Sequence, residues 1–166
     1  EKIYPDDTIN TLYKRIQKLG LDLITEYVPK IILGNQKLIT QDESKRRIMK
    51  QRSPEDGLID WSNDVNYIDR FVRAQTKPYP GAYCFFENSK LTIWKGSKID
   101  MPLSKNCKYG ELKIKSDNFV VACTKGYYIL EKFSYKNMSF NKKNMHKLFN
   151  RQNIILRKNK IDVKKI

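Results

Sequence analysis

The sequence contains little histidine and little cysteine. Its 166 residues include one histidine and three cysteines, so a zinc site built from these side chains would need all four to converge from distant positions. Cys84, Cys107 and Cys123 are odd in number and widely spaced, which predicts buried free thiols in a reducing compartment. This pattern argues against both a zinc domain and a disulfide-stabilised secreted domain.

Long apolar runs are also missing. No stretch approaches the roughly 18 residues that are needed to span a bilayer, and Glu1 to Asp7 has no signal-peptide pattern. We therefore expect a soluble, cytoplasmic protein with no membrane partner.

Acidic residues are scarce relative to basic ones. Lys and Arg number 33 against 18 Asp and Glu, which gives a net charge of +15. From Lys132 to Ile166 there are 11 basic residues and one acidic residue, Asp162, so this basic tail supplies +10 of the total. Such a charge attracts polyanions and nucleotides, although lysines that only solvate a surface are the simpler explanation.

The first 50 residues predict one amphipathic helix. Asp6-Asp7-Thr8 supplies N-cap chemistry near Thr8, Gly34 ends the helix, and Pro29 predicts a kink or break. Apart from a marginal strand at Lys37–Thr40, this region offers nothing to cover the apolar face, so the chain looks truncated at its start. That face has spacings of three and four residues: Ile9, Leu12, Ile16, Leu19, Leu23, Tyr27 and Ile31.

The stretch from Arg52 to Trp61 is a junction between this helical region and a strand-rich region. A turn is expected within it at Ser53–Gly57 and another after it at Pro78–Gly81, since Pro fixes φ and Gly permits positive φ. Ser62 is the predicted N-cap of a second helix that ends near Arg73-Ala74 and has an apolar face of Val65, Ile68, Phe71 and Val72.

Five strands separated by tight turns predict a small antiparallel barrel or sandwich. A short helix that carries His146 and a last strand are expected after them. The predicted strands are Tyr83–Glu87, Leu91–Lys95, Leu112–Lys115, Phe119–Thr124, Tyr127–Phe133 and finally Ile154–Leu156, with the helix at Asn141–Phe149.

Several motifs around the junction resemble the 10-formyltetrahydrofolate-dependent formyltransferases, the group that contains methionyl-tRNA formyltransferase and the nucleotide-sugar N-formyltransferases. The resemblance covers most of the chain. It rests on Asp6-Asp7-Thr8 with Thr11-Leu12 and Lys18-Leu19, Arg52-Ser53-Pro54-Glu55-Asp56-Gly57 with Ile59-Asp60-Trp61, Arg73-Ala74, Pro78-Tyr79-Pro80-Gly81-Ala82, Leu91 to Trp94, and Gly110-Glu111 with Phe119 to Tyr127.

The resemblance implies an α+β fold. The terminal helix of a truncated α/β formyltransferase domain, residues 1–50 with a linker, would be followed by a small antiparallel OB-like β-barrel domain with a basic tail, residues 51–166. In the family an Asn, a His and an Asp carry out catalysis, and all three match positions upstream of Glu1. His146 falls on no family position and is interpreted as a surface residue.

The junction resembles the sugar-modifying branch, which includes the enzyme that formylates UDP-aminoarabinose, since the tRNA branch more often carries Lys-x-x-Lys-Glu there. The resemblance implies transfer of a formyl group from 10-formyltetrahydrofolate to the amine of a nucleotide-linked amino sugar. Arg52 matches an arginine that the sugar enzymes place at the mouth of the active site, where its planar guanidinium can bind a nucleotide phosphate or the site of formyl transfer. Alternatively, Arg52 forms a salt bridge that ties the linker to the domain. Pro54, Asp56 and Gly57 are expected to build the turn, and Trp61, Tyr79 and Trp94 to pack in the core or at an interface.

The chain alone, which lacks the catalytic residues, is expected to be inactive and to bind no folate; the N-terminal formyltransferase domain would be its partner. Residues from about Ser53 onward should fold by themselves, and residues 1–50 should be loosely held. Two other functions stay open, namely the C-terminal part of a methionyl-tRNA formyltransferase that binds tRNA and a non-catalytic basic OB-like nucleic-acid-binding module. A homodimer is also left open.

Overall fold

A computed structural model describes residues 1–149 and 154–160. The chain divides into two compact units, Glu1–Ser53 and Pro54–Ile166. Each unit is described by itself below.

The first unit is built on helix α1, Ile9–Ile32, which begins where the sequence predicts. The Thr8 side chain accepts a hydrogen bond from the Thr11 N–H, and the Thr11 hydroxyl accepts one from the Thr8 N–H. Asp7 supports this start, since its carboxylate accepts two bonds from Arg15 at 2.7 and 2.5 Å. These bonds from Arg15, with one from the Tyr4 N–H, hold the pKa of Asp7 well below its usual range.

Gly34 ends α1, as predicted. It has a φ of +69°, and the N–H groups of Gly34 and Asn35 donate to the carbonyls of Ile31 and Lys30 at 3.0 and 2.9 Å, which is the Schellman arrangement. The predicted break at Pro29 does not occur. Pro29 lies in the last turn, where its missing N–H removes only one helical hydrogen bond.

The apolar face of α1 is exposed. No residue of α1 is buried, and Ile16 and Leu23 are 46% and 57% exposed. The predicted strand at Lys37–Thr40 is wrong, because these residues are irregular and exposed and the unit provides no second strand to pair with them. Only a short 3₁₀ turn, Glu43–Lys45, follows.

The second unit begins its regular structure with helix α2, Val65–Gln75. Its N-cap is Asp64, whose carboxylate accepts a bond from the Asn66 N–H at 2.8 Å, so the predicted cap at Ser62 is wrong. The Ser62 hydroxyl instead donates to Asp60 at 2.6 Å. The predicted apolar face is confirmed: Val65, Ile68 and Val72 are buried, and Phe71 packs against the core.

Six antiparallel strands form one sheet with the order β1-β2-β5-β4-β3, and β6 also pairs with β5. Helix α2 packs on β2 and β5, and the core lies between them. The strand bounds are β1 Ala82–Phe86, β2 Ser89–Ile99, β3 Leu112–Lys115, β4 Asn118–Cys123, β5 Gly126–Tyr135 and β6 Met138–Asn141.

All five strands predicted before residue 134 are present, with ends that differ by up to four residues. The sequence prediction missed β6 and placed a helix over Asn141–Phe149. In the structure this region holds the end of β6 and one 3₁₀ turn, Met145–Lys147. Strand β6 has a single buried side chain, Phe140, which stacks on Phe133 at 5.2 Å, so its short pattern carries almost no periodic signal.

The sheet is not closed, so the predicted OB-like barrel is not confirmed, whereas the mixed class of helices and an antiparallel sheet is. Strands β1 and β3 are the two ends of the strand order. In place of the predicted last strand, Ile154–Leu156, the segment 154–160 forms only isolated bridges, from Ile155 to Glu111 and from Arg157 to Phe85. This segment therefore contacts both ends of the sheet without extending it.

The three cysteines are free thiols. Cys84 and Cys123 are buried in β1 and β4, as predicted, and burial raises the pKa of each thiol to about 12. Cys107 is half-buried and was wrongly expected to be buried. Neither α1 nor α2, nor any other helix within residues 1–149 and 154–160, is long and apolar enough to cross a membrane.

Candidate functional site

The turn within the junction and the turn at Pro78–Gly81 meet in the second unit. Pro54–Gly57 forms one 3₁₀ turn, and a Cβ on Gly57 would lie only 2.8 Å from the Gly81 carbonyl oxygen. The Ile59 N–H donates to the Tyr83 carbonyl at 2.7 Å. The junction is thus held against the start of β1 by a close backbone approach that only glycine allows.

Asp60 ties the junction to the segment 154–160. Its carboxylate accepts bonds from the Lys158 ammonium at 2.8 Å and from the Ser62 hydroxyl and N–H at 2.6 and 3.1 Å. Lys158 first, and then Ser62, lower the pKa of Asp60 to about 2. Asp60 is therefore a structural carboxylate that stays ionised at neutral pH rather than a candidate proton donor.

The aromatic residues singled out in the sequence have different environments. Trp61 is buried beside Tyr128, with ring centroids 6.4 Å apart, which confirms a packing role. Trp94 is half-buried, and its indole N–H donates to the Ser134 hydroxyl at 2.7 Å. Tyr79 is 39% exposed, so it does not lie in the core, and its packing at an interface stays a prediction.

Arg52 and His146 are both exposed. Arg52 lies in the first unit and makes no hydrogen bond or ion pair with the described residues of that unit, so its role stays a prediction. His146 lies in the Met145–Lys147 turn, which confirms the interpretation of a surface histidine.

A groove of about 620 Å³ lies on the outer face of β1, β2 and β5, and the sequence interpretation missed it. We call it the basic groove. Its floor is the row formed by Tyr83, Thr92 and Ser134, which pair across the three strands. The residues that give it its chemical character are Tyr83, Phe85, Lys90, Ser134, Lys136 and Lys160.

Three lysines of the basic groove lie over aromatic rings. The Lys90 ammonium is 4.0 Å from the centroid of Tyr83, that of Lys136 is 5.3 Å from Tyr135, and that of Lys160 is 5.8 Å from Phe85. None of these lysines forms an ion pair with a carboxylate among the described residues. The groove therefore presents positive charge beside aromatic surface.

A second pocket of about 430 Å³ is also lined by lysines, but it contains a carboxylate. We call its lining residues the second cluster. Glu131 pairs with Lys95 at 3.1 Å and accepts a bond from Ser97 at 2.8 Å. Burial opposes but does not cancel the effect of these two partners, which lower the pKa of Glu131. The remaining cationic residues of this second cluster are Lys132, Lys142 and Lys143.

The sequence alone could have indicated only part of the basic groove. Strand alternation in β1 buries Ala82, Cys84 and Phe86 and leaves Tyr83 and Phe85 on the other face. Two aromatic residues on an outward face indicate a functional surface. Lys160 is brought to the same place only by the bridge between Arg157 and Phe85.

Comparison with known proteins identifies the class. Residues 52–151 match the family model of the formyl transferase C-terminal domain. The chain therefore belongs to this family, and the resemblance seen in its sequence is confirmed.

The individual relatives are larger than this chain. It is 32% identical over 151 residues to the bifunctional polymyxin resistance protein ArnA of Wigglesworthia glossinidia brevipalpis, and the match covers 83% of this chain and 22% of ArnA. The chain thus spans about a fifth of that relative.

Solved structures of HypX from Aquifex aeolicus share the fold. One HypX variant aligns with a TM-score of 0.65 at 11% identity and covers 92% of this chain and 27% of HypX. HypX in complex with tetrahydrofolic acid aligns with a TM-score of 0.57 at 13% identity, covering 80% of this chain and 23% of HypX.

Neither the basic groove nor the second cluster fits the folate that the family resemblance implies. The basic groove and the second cluster are both lined by lysines. The flat, hydrogen-bonding ring of folate instead needs a narrow pocket with buried polar groups facing it. The buried polar atoms without a partner in the described part of the chain, Trp61 Nε1 and the Tyr128 hydroxyl, lie in the packed core instead.

Proposed function

We propose that this chain is the C-terminal part of an enzyme that transfers a formyl group from 10-formyltetrahydrofolate to the amine of a nucleotide-linked amino sugar. The match of residues 52–151 to the formyl transferase C-terminal domain carries this proposal. The Arg-x-Pro-Glu-Asp pattern that begins at Arg52, together with 32% identity to ArnA, supports the sugar-modifying branch.

The roles of this chain and of the N-terminal domain follow from the residues that this chain contains. Residues 1–50 complete the catalytic domain, and residues 51–166 form the C-terminal domain with its basic tail. The Asn, His and Asp that act on the amine and the formyl group belong to the partner N-terminal domain, as does folate binding. Free thiols at Cys84, Cys107 and Cys123 suit a reducing, cytoplasmic location.

Arg52 is the one substrate-binding residue that we assign to this chain. It precedes the Pro54–Gly57 turn by two residues, and that turn is anchored through Gly57 and Ile59. A guanidinium at this position can hold a phosphate oxygen pair of the nucleotide sugar bidentately. Its part in the reaction is to orient the substrate and to stabilise charge.

The test is a turnover assay on the complete reading frame that contains this chain. With 10-formyltetrahydrofolate and a panel of nucleotide-linked amino sugars, we expect the complete protein to formylate at least one sugar. The 166-residue chain is the matched control and should show no turnover. Activity on methionyl-tRNA with none on the sugars would refute the sugar assignment, and turnover by the isolated chain would refute the division of labour.

One observation favours a second candidate, which is tRNA formylation or nucleic-acid binding. The net charge of +15 and the lysines of the basic groove and the second cluster suit the phosphate backbone of a nucleic acid. Binding of tRNA by this chain that weakens steeply between 50 and 200 mM salt, with no effect of nucleotide sugars, would favour this candidate.

A further inference from the structure

The basic groove has the composition of a small-anion site. Among the described residues that line it, none is acidic, and Lys90, Lys136 and Lys160 contribute positive charge from β2, the β5–β6 turn and the segment 154–160. Lys136 lies in the β5–β6 turn and Lys90 in β2, and the register that pairs Leu91 with Tyr135 brings both to the same end of the sheet. Lys160 comes from the segment 154–160.

The contacts that the three lysines make are weak enough for a ligand to replace them. Each ammonium contacts an aromatic ring rather than a carboxylate, and such contacts are weak at exposed sites. An anion can therefore draw the ammonium away at little cost. When Lys160 leaves its position 5.8 Å from the Phe85 centroid, the face of that ring becomes available to another planar group.

Phe85 is well supported as a stacking surface. Its backbone N–H and carbonyl both bond to Arg157 at 2.8 Å, and its ring meets that of Tyr83 edge to face at 5.8 Å. A planar ring held in this way offers contact area with little loss of conformational freedom on binding.

We propose that the basic groove binds a nucleoside diphosphate, with its base stacked on Phe85 and its phosphates held by Lys90, Lys136 and Lys160. A volume of about 620 Å³ lies in the range of sites for small ligands. Three ammonium groups match the roughly three negative charges of a diphosphate near neutral pH. The proposal concerns binding by this unit and does not rest on formyl transfer.

A compact ligand fits better than a nucleic-acid strand. A strand needs a continuous cationic track with several stacking platforms. The neighbouring second cluster instead contains Glu131, whose charge is engaged by Lys95. The described residues of the second cluster therefore do not continue the basic groove as a track of lysines alone.

Isothermal titration calorimetry on the 166-residue chain tests the proposal, with ADP, UDP, pyrophosphate and a 12-nucleotide oligouridylate as separate ligands. We expect ADP and UDP to bind, and pyrophosphate to bind at least about fivefold more weakly, because it lacks the base. The oligonucleotide should bind no more tightly per site than UDP.

Variants assign the site. Lys90→Gln should raise the Kd for ADP by about tenfold through loss of a charge-assisted contact, and Phe85→Leu by about fivefold or more through loss of stacking. The matched control, Lys142→Gln in the second cluster, removes the same charge and should change the Kd by less than about twofold. Lys90 is exposed, so its variant should retain the wild-type melting temperature.

Four results would overturn the proposal. They are the absence of ADP and UDP binding at millimolar concentration, pyrophosphate binding as tight as ADP, oligonucleotide binding without nucleotide binding, and an equal loss of affinity in Lys142→Gln and Lys90→Gln. An equal loss of affinity in the two variants would mean that the nucleotide is attracted by the net charge of the protein and not bound at the basic groove. Formyl transfer by the complete enzyme is a separate readout, so either proposal can fail while the other stands.

Discussion

The Lys158 ammonium donates a hydrogen bond to the Asp60 carboxylate at 2.8 Å, across 98 positions of the sequence. This pair joins the junction to the segment that also bridges β1 through Arg157. Because Lys160 belongs to the same segment, the pair also helps to place one of the three lysines of the basic groove.

The first prediction concerns acid stability. The pKa of Asp60 is lowered from 3.8 to about 2 in the folded protein, chiefly by Lys158. Its contribution to the free energy of unfolding is therefore present above about pH 4 and is lost as the pH falls through about 2. Asp60→Asn should lower the melting temperature at pH 7, and this difference from wild type should shrink toward pH 2.

Lys158→Met is the control for this prediction. It removes the ammonium but keeps the two bonds from Ser62 to Asp60, so part of the pH dependence should remain. Thermal unfolding at a series of pH values measures both variants. The same pH dependence in wild type and Asp60→Asn would contradict the assignment.

The second prediction concerns the close approach of Gly57 and Gly81. A Cβ added at Gly57 would lie 2.8 Å from a backbone oxygen, so Gly57→Ala should destabilise the second unit by about 1–3 kcal/mol. Gly20→Ala is the matched control, because nothing lies within 4 Å of that Cβ. It should stabilise α1 by about 0.5–1 kcal/mol.

Urea unfolding followed by circular dichroism measures both glycine variants. If Gly57→Ala unfolds at the same urea concentration as wild type, the junction is looser than the structure indicates.

The third prediction concerns thiol reactivity. Burial raises the pKa of Cys84 and Cys123 to about 12, so almost no thiolate is present at pH 8 and both should react slowly. Cys107 is only half-buried. A disulfide reagent should therefore label one thiol rapidly in the native protein and the other two only in denaturant.

Cys107→Ser should remove the rapid phase and leave the slow phases unchanged. Rapid labelling of the Cys107→Ser protein would show that β1 or β4 opens readily in the native state.

The fourth prediction concerns Arg52 in the complete enzyme. Arg52→Lys retains the charge but loses the bidentate fork, so kcat/KM should fall about 10- to 150-fold, equivalent to roughly 1.5–3 kcal/mol. The melting temperature should not change. Kinetics and thermal unfolding are measured on the same preparation. Near-normal kinetics with a lower melting temperature would assign Arg52 to pinning the linker instead.

The sequence by itself determined the features that depend on neighbouring residues. The cap at Thr8 and the glycine end of α1 were predictable because each uses groups within a few positions. Strand β3, Leu112–Lys115, lies where it was predicted. The junction motif at Arg52 to Gly57, taken together with the other motifs along the chain, also indicated the family.

Only the tertiary structure decided the features in which distant groups compete or combine. Ser62 could cap α2 locally, but Thr124, 62 positions away, donates to the Ser62 carbonyl, and Asp60, which Lys158 holds from 98 positions away, accepts a hydrogen bond from the Ser62 hydroxyl. The cap is therefore Asp64. The basic groove likewise needs Tyr83 and Phe85 beside Lys160, which the bridge between Arg157 and Phe85 brings near. A local pattern cannot encode such a site, because strand pairing joins residues that the sequence keeps far apart.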